Sequence, residues 1–176
     1  MRFENMKMVE VSDKNIVTYT PQFLRETVFN KLVRIAGNAP APLVLYEGFR
    51  PIEKQIAMFN GFKASHPGMT DEEVNKFIAI PGRAVHVTGG AVDITLLGYD
   101  MGTEYLCFDG RQATAYYDGI DEAIAENRRL LCDLAAGEDF VNFYNEWWHF
   151  EYGTSLWCRK YGKEPLFDAV KEIRNE

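Results

Sequence analysis

The sequence contains few cysteines, no long apolar run and only three histidines. The cysteines are Cys107, Cys132 and Cys158, and their odd number and wide spacing argue against a disulfide framework and against a C-x-x-C zinc ribbon. We therefore expect three reduced, structural thiols. No apolar stretch approaches the ~20 residues that a membrane-spanning helix needs, so we expect no membrane partner.

Basic residues are also scarce relative to acidic ones. The chain has 19 Lys and Arg against 26 Asp and Glu, which gives a net charge of −7. Because no Lys/Arg cluster could follow a phosphate backbone, nucleic acid is not an expected partner. Residues 1–15 lack the apolar core and the cleavage site of a secretory signal, which predicts a cytoplasmic location. The length predicts a single domain over residues 1–176.

Apolar periodicity predicts helices towards both ends of the chain and strands in its middle and late parts. The spacing over residues 21–36 is helical, with Pro21 suited to the first turn and Gly37 to the C-cap. This order of elements predicts an α+β fold, with helices packed on one face of a small antiparallel sheet. Further helices are predicted over 51–59, over 70–80 with Thr70 as N-cap, over 121–136 and over 166–175. Strands are predicted over 43–49 and 91–97. Residues 142–152 are predicted to be β-prone, and residues 99–119 are predicted to form a loop.

The scarcity of histidine restricts any His-based site to His66, His86 and His149. An extended piece containing His86 is followed by a Gly-Gly turn, which lets the chain fold back so that His86 and Asp93 converge. His149 follows Glu146 by three residues within E-W-W-H. In a strand these two side chains would face opposite sides, so a shared site requires a bulge or a loop-to-strand transition.

Two histidines and one aspartate suffice as protein ligands of a catalytic Zn²⁺, and they leave a fourth position for water or substrate. An unligated carboxylate beside such an ion can accept the water proton, and Glu146 is our candidate for this base. This set of residues is therefore compatible with metal-dependent hydrolysis.

Taken singly, each of these residues also has an ordinary structural interpretation. His66 lies in a Ser-His-Pro-Gly stretch that is typical of a solvated loop. Glu146 is compatible with an edge carboxylate beside core aromatics. Arg50 is compatible with a surface arginine paired with Glu47 or Glu53.

Three blocks taken together resemble a known family. Residues 46–51 read Y-E-G-F-R-P, residues 86–93 read H-V-T-G-G-A-V-D and residues 146–150 read E-W-W-H-F. In this order they resemble the signature blocks of the D-alanyl-D-alanine dipeptidases of the VanX type, which are M15 zinc peptidases with the Hedgehog/DD-peptidase fold. The resemblance extends over about residues 43–152.

The resemblance implies a role for each residue of the site. His86, Asp93 and His149 would hold one Zn²⁺ per chain, and Glu146 would be the general base. Arg50 would stabilise the oxyanion of the tetrahedral intermediate, a role that suits its rigid fork of donors.

Departures from the family pattern concern the substrate. Ala84 and Val85 stand where the pattern has serine hydroxyls, and Leu106 replaces an aspartate that binds the amino group of a dipeptide in the family. An ammonium group without a counter-charge is costly to desolvate. Glu104 or Asp109 could take over that contact.

These observations predict a small peptide substrate, with Tyr46 and Trp148 as further substrate contacts. The leading hypothesis is hydrolysis of D-Ala-D-Ala or a similar small dipeptide. The first alternative is a D,D- or L,D-carboxypeptidase acting on peptidoglycan stem peptides, which the loss of the amine-binding acid favours. The second is a zinc-binding module without turnover.

Overall fold

The computed structural model describes residues 7–113 and 119–170. Five α-helices and seven β-strands lie in these two segments, together with two short 3-10 turns, Pro81–Arg83 and His86–Thr88. The helices are α1 (Glu26–Asn38), α2 (Ile52–Ser65), α3 (Asp71–Val74), α4 (Glu122–Ala136) and α5 (Ser155–Tyr161). The strands are β1 (Met8–Glu10), β2 (Ile16–Thr18), β3 (Phe23–Arg25), β4 (Leu43–Glu47), β5 (Ala91–Leu96), β6 (Val141–Asn142) and β7 (His149–Glu151).

A five-stranded sheet with the order β2-β4-β5-β7-β6 forms the centre of the fold. Neighbouring strands are antiparallel except β2 and β4, which run parallel, whereas the sequence predicted an antiparallel sheet throughout. The parallel pair arises because the chain leaves β2 and returns to β4 through β3 and α1, a crossover long enough for parallel strands. β1 and β3 form a separate two-stranded sheet.

The core lies between this sheet and the helices α1 and α4. All residues of β5 and β7 are buried, so these two inner strands are covered on both faces. α1 contributes Val28, Leu32 and Ile35 to the core, and α4 contributes Leu131 and Ala135. The α+β fold class predicted from the sequence is confirmed. In the described residues, no helix is long and apolar enough to cross a membrane.

The first helix begins later than the sequence predicted. Phe23 and Leu24 belong to β3, where Leu24 pairs with Val9 of β1, and the helix starts at Glu26. Pairing with a distant strand overrides the local apolar spacing, which was compatible with a helix. Gly37 lies inside α1 and the C-cap is Ala39, so the predicted Gly C-cap is also wrong.

The helix predicted over 166–175 is not found in its described part, since residues 166–170 are irregular, and 171–176 lie outside the described residues. Phe167 is instead buried, with its ring near Tyr152, and the Val170 backbone N–H donates to the Val87 carbonyl at 2.8 Å. Phe167 and Val170 therefore attach an irregular segment to the rest of the fold and do not form the face of a helix. The helix α5 was not predicted.

Between α2 and β5 the chain is more irregular than predicted. Thr70 is the N-cap of α3 and forms a capping box with Glu73, but α3 is one turn rather than a helix over 70–80. The predicted extended piece before the Gly-Gly turn consists of the two 3-10 turns. Residues 99–113 contain no helix or strand, as predicted for that loop, and residues 114–118 lie outside the described residues.

Candidate active site

Strand register aligns three polar side chains across the centre of the sheet. Glu47 on β4 pairs with Asp93 on β5, and Asp93 pairs with His149 on β7. All three are buried. Buried polar side chains in an apolar sheet require hydrogen-bond or ionic partners. This row of three polar residues is therefore a candidate position for a functional site.

His86 reaches the same point from the second 3-10 turn. Its Nδ1 lies 2.8 Å from the carbonyl oxygen of Gly48, which can only accept, so Nδ1 carries the proton and Nε2 is free to bind a metal. Gly89 follows the turn with φ +72°, a conformation that glycine adopts without strain, and it directs the chain into β5.

The donor atoms of three side chains converge at this point. His86 Nε2 lies 3.2 Å from both Asp93 Oδ1 and His149 Nδ1, and His149 Nδ1 lies 2.9 Å from Asp93 Oδ1. Four ligands about 2.0–2.1 Å from a tetrahedral ion are separated by roughly 3.3 Å, so this donor set fits a metal with little movement. The described residues thus contain a buried group of His86, Asp93 and His149 that could hold a metal ion, and we name it the metal-ligand group.

The electrostatics of the group follow from its close contacts. Burial alone would raise the pKa of Asp93, but the charges and hydrogen bonds of His86 and His149 hold it far below its usual range. Burial alone would lower the pKa of His149, but hydrogen bonds with Asp93 and Glu151 raise it to about 10. The Asp93 carboxylate is therefore anionic at any physiological pH.

Glu146 lies in the turn between β6 and β7, three residues before His149. Its backbone N–H donates to Phe143 O at 2.9 Å and its carbonyl accepts from His149 N at 3.3 Å, so E-W-W-H is a turn that enters the strand at His149. A site shared by Glu146 and His149 requires such a loop-to-strand transition, as the sequence indicated. Burial raises the pKa of the Glu146 carboxyl, and the nearby charge of Asp93 adds to this rise.

Arg50 is buried just after β4, beside the metal-ligand group. One terminal nitrogen donates to Glu47 Oε2 and the other to Gln55 Oε1, while Gln55 Nε2 donates to Ala79 O at 2.6 Å. Burial alone would lower the pKa of Arg50, but its bond and charge interaction with Glu47 raise it. The pairing with Glu47 that the sequence suggested exists, but it is buried rather than a surface contact.

The sequence did not single out two residues that contact the metal-ligand group. The Tyr105 hydroxyl donates to Asp93 Oδ2 at 2.8 Å, and Glu151 Oε1 lies 3.5 Å from His149 Nε2. Glu151 Oε2 accepts from Thr154 Oγ1 at 2.6 Å and from the backbone N–H of Leu156 at 2.8 Å. Glu151 could have been noticed, because it lies two residues after His149 and therefore on the same face of the strand.

A cavity of about 550 Å³ opens onto the metal-ligand group. Arg50, Glu146 and the three candidate ligands line it. Its other walls come from α2, the stretch before β5, the loop after β5, the turn between β6 and β7, and the start of α5. The wall residues include Met58, Lys76, Phe77, Ile78, Arg83, Ala84, Val85, Leu106, Phe108, Phe143, Leu156 and Arg159.

The residues proposed from the sequence as substrate contacts lie in different places. Trp148 is fully buried and lines the cavity, whereas Tyr46 stacks on Tyr105 with ring centroids 4.4 Å apart. Glu104 and Asp109 are exposed and are not among the lining residues. A hydrogen bond from Arg111 lowers the pKa of Asp109 to about 2.

The remaining histidine is far from any such arrangement. His66 is exposed at the C-cap of α2, where its ring stacks on Phe62 with centroids 4.2 Å apart. It is a surface residue, in agreement with the structural interpretation of the Ser-His-Pro-Gly stretch.

The sequence matches the family model Peptidase M15, described as D-ala-D-ala dipeptidase, over residues 24–166. This chain belongs to the M15 peptidase family. The match confirms the resemblance carried by the three sequence blocks and places the chain in a family of peptidases. In this M15 peptidase, the His-His-Asp group is a structural candidate for the metal site of a metallopeptidase.

Among its relatives are D-alanyl-D-alanine dipeptidases of Escherichia coli and Enterococcus faecium. The first is 28% identical over 130 residues, which cover 71% of this chain and 62% of the relative. The second is 26% identical over 152 residues, which cover 77% of this chain and 74% of the relative. The chain therefore spans less than two thirds of the length of the Escherichia coli protein.

Solved structures of low sequence identity share the fold. The LD-carboxypeptidase LdcB has a TM-score of 0.60 at 19% identity, covering 85% of this chain and 69% of its own. The D,D-pentapeptidase VanY of a VanB-type resistance cassette, solved with Zn(II), has a TM-score of 0.53 at 20% identity, covering 84% and 79%. These similarities establish the M15 peptidase fold for this chain.

Proposed function

We propose that this M15 peptidase hydrolyses the peptide bond of D-Ala-D-Ala or a similar small dipeptide with one bound zinc ion. The observation that carries the proposal is the convergence of His86 Nε2, Asp93 Oδ1 and His149 Nδ1 within 3.2 Å of one another, on residues that line the cavity. Three protein ligands leave a coordination position open, which is typical of catalytic rather than structural zinc.

The metal would supply Lewis acidity and lower the pKa of a bound water towards about 7. His86 offers Nε2 because Gly48 O holds its Nδ1 proton, and His149 offers Nδ1 because Glu151 lies beside its Nε2. Asp93 contributes the negative charge that offsets part of the charge of the ion.

Glu146 would act as the general base. Its carboxylate lines the cavity without being one of the three converging ligands. Burial raises its pKa, which makes the carboxylate a stronger proton acceptor than an exposed glutamate. Glu146 would take the proton of the attacking water and pass it to the leaving amine.

Arg50 would stabilise the negative charge that develops on the carbonyl oxygen. Glu47 and Gln55 fix its two terminal nitrogens, and in the described residues its buried Nε has no hydrogen-bond partner. A buried unsatisfied N–H beside a cavity is explained if a substrate oxygen accepts from it.

A second candidate function, a D,D- or L,D-carboxypeptidase acting on peptidoglycan stem peptides, is favoured by one observation. Leu106 lines the cavity where the dipeptidase pattern has its amine-binding aspartate, and the exposed Glu104 and Asp109 do not line it. A free ammonium near the scissile bond would then lack a counter-charge.

The test compares hydrolysis of D-Ala-D-Ala with that of N-acetylated and longer peptides ending in D-Ala-D-Ala, using zinc-loaded protein. Cleavage of the free dipeptide supports the dipeptidase. Cleavage of the blocked or longer peptides alone would replace it with the carboxypeptidase. Zinc binding without turnover on any peptide of the panel would leave a metal-binding module.

A further inference from the structure

The two oxygens of Asp93 have different partners. Oδ1 lies 3.2 Å from His86 Nε2 and 2.9 Å from His149 Nδ1, at the point where the donor atoms converge. Oδ2 instead accepts a hydrogen bond from the Tyr105 hydroxyl at 2.8 Å. Asp93 is almost completely buried, with 2% of its surface exposed, so water is not a ready substitute for this donor.

Packing from both sides holds the Tyr105 ring in place. Its face stacks on Tyr46 of β4, with centroids 4.4 Å apart and planes 6° apart. Its edge meets Trp148, with centroids 5.6 Å apart and planes at 82°. The hydroxyl is therefore presented to Asp93 by a ring that has little freedom left to lose on metal binding.

A phenol hydroxyl has an ordinary pKa of about 10, so it carries a proton that it can donate at neutral pH. Tyr105 is thus a permanent donor to Oδ2, and Asp93 cannot turn that oxygen towards a metal without breaking this bond.

We propose that Tyr105 is a positioning residue that makes Asp93 a one-oxygen metal ligand. The inference rests on the proposed metal site. A carboxylate held through Oδ2 offers only Oδ1, which keeps a coordination position free for water or for the substrate carbonyl oxygen. Outer hydrogen bonds of this kind typically change metal affinity or activity by about 10–100-fold.

The test substitutes Tyr105→Phe, which removes the hydroxyl and keeps the ring that stacks on Tyr46. Zinc affinity is measured by competition with a chromophoric chelator, and the absorption spectrum of the Co²⁺-loaded protein reports the ligand geometry. We expect the dissociation constant for zinc to rise by about 10–100-fold and the Co²⁺ spectrum to change. With zinc saturating, kcat should fall while KM for the peptide stays within about twofold, since Tyr105 acts through a metal ligand.

Tyr99→Phe is the matched control, because Tyr99 lies in the same loop and packs against the core. Equal melting temperatures of metal-free Tyr105→Phe and Tyr99→Phe would show that a change in zinc affinity does not come from a loss of folding stability. Tyr105→Leu removes the stacking as well. A zinc dissociation constant within twofold of wild type for Tyr105→Phe, or a rise seen only for Tyr105→Leu, would overturn the inference. If wild-type protein binds no zinc, the proposed zinc-dependent function is wrong, and this outcome is distinct from a failure of the inference about Tyr105.

Discussion

The surroundings of two carboxylates that line the same cavity shift their pKa values in opposite directions. Two histidines surround Asp93 and hold its pKa far below the usual range, whereas the pKa of Glu146 is raised, chiefly by burial. Environments that separate the pKa values of neighbouring acids typically assign them different tasks. In our account, Asp93 is a fixed anion for the metal and Glu146 is the group that exchanges a proton.

We expect Glu146→Gln to lower kcat by about 10²–10⁴-fold, the usual contribution of a general base. The amide keeps the shape of the side chain but cannot accept the water proton. Zinc content, measured by elemental analysis, should stay near that of wild type because Glu146 is not a ligand in our account. Glu126→Gln on the outer face of α4 is the control. Unchanged turnover in Glu146→Gln would remove this residue from the mechanism.

Arg50→Lys should lower kcat by about 10²–10³-fold, in the range seen when one oxyanion donor is lost. A lysine has one ammonium and cannot bond Glu47 and Gln55 together while donating to substrate. Melting curves should accompany the kinetics, because the change disturbs buried partners. Arg34→Lys, at an exposed pair with Glu138, should behave as wild type. Full activity in Arg50→Lys would rule out the oxyanion role.

At the residue scale, the sequence singled out the side chains that the fold brings together at this site but not the residues that contact them. His86, Asp93 and His149 stand out because histidine is scarce and the blocks have a recognisable order. Tyr105 and Gln55 carry no such signal. Their roles depend on contacts with Asp93 and Arg50 that only the folded chain creates.

The elements that carry the metal-ligand group are short and depend on one another. β7 has three residues, and His149 stands at its first position, beside Asp93 of β5. Strands of this length have little stability alone, so the site relies on the sheet and on the segments packed over it. The strands 43–47 and 91–96 were predictable because they are apolar and bounded by turn residues. β3 and α5 were not, because distant partners determine them.

Gly90 shows how closely the segments before and after α5 pack over the start of β5. A Cβ atom at this position would lie 2.7 Å from Thr154 Cγ2, 2.8 Å from Phe167 Cδ2 and 2.9 Å from Tyr152 O. We expect Gly90→Ala to lower the free energy of unfolding by ~1–3 kcal/mol, as overpacking does. Urea denaturation measures this change.

The control for this change is Gly37→Ala in α1, where a Cβ would have no neighbour within 4 Å. Because alanine is the better helix former, this variant should match or slightly exceed the stability of wild type. If Gly90→Ala unfolded at the same urea concentration as Gly37→Ala, the close packing around Gly90 would have no effect on the free energy of unfolding.

At the scale of the whole molecule, the metal-ligand group joins the stretch 86–93 to a strand that lies much later in the chain. His86 comes from a 3-10 turn, Asp93 from β5 and His149 from β7, and the bonds of Arg50 and Tyr105 add β4 and the loop after β5. The α+β class was predictable from the order of elements. The parallel β2–β4 pair was not, because local periodicity carries no information on strand direction.

The central claim, that this chain is a zinc peptidase, is tested most directly by titrating metal-stripped protein with zinc while following peptide hydrolysis. The panel comprises D-Ala-D-Ala and its N-acetylated and longer counterparts. Our account predicts no turnover in the stripped protein and a linear return of activity that ends near one equivalent of zinc. Full activity without metal, or no hydrolysis of any of these peptides with zinc in excess, would contradict it.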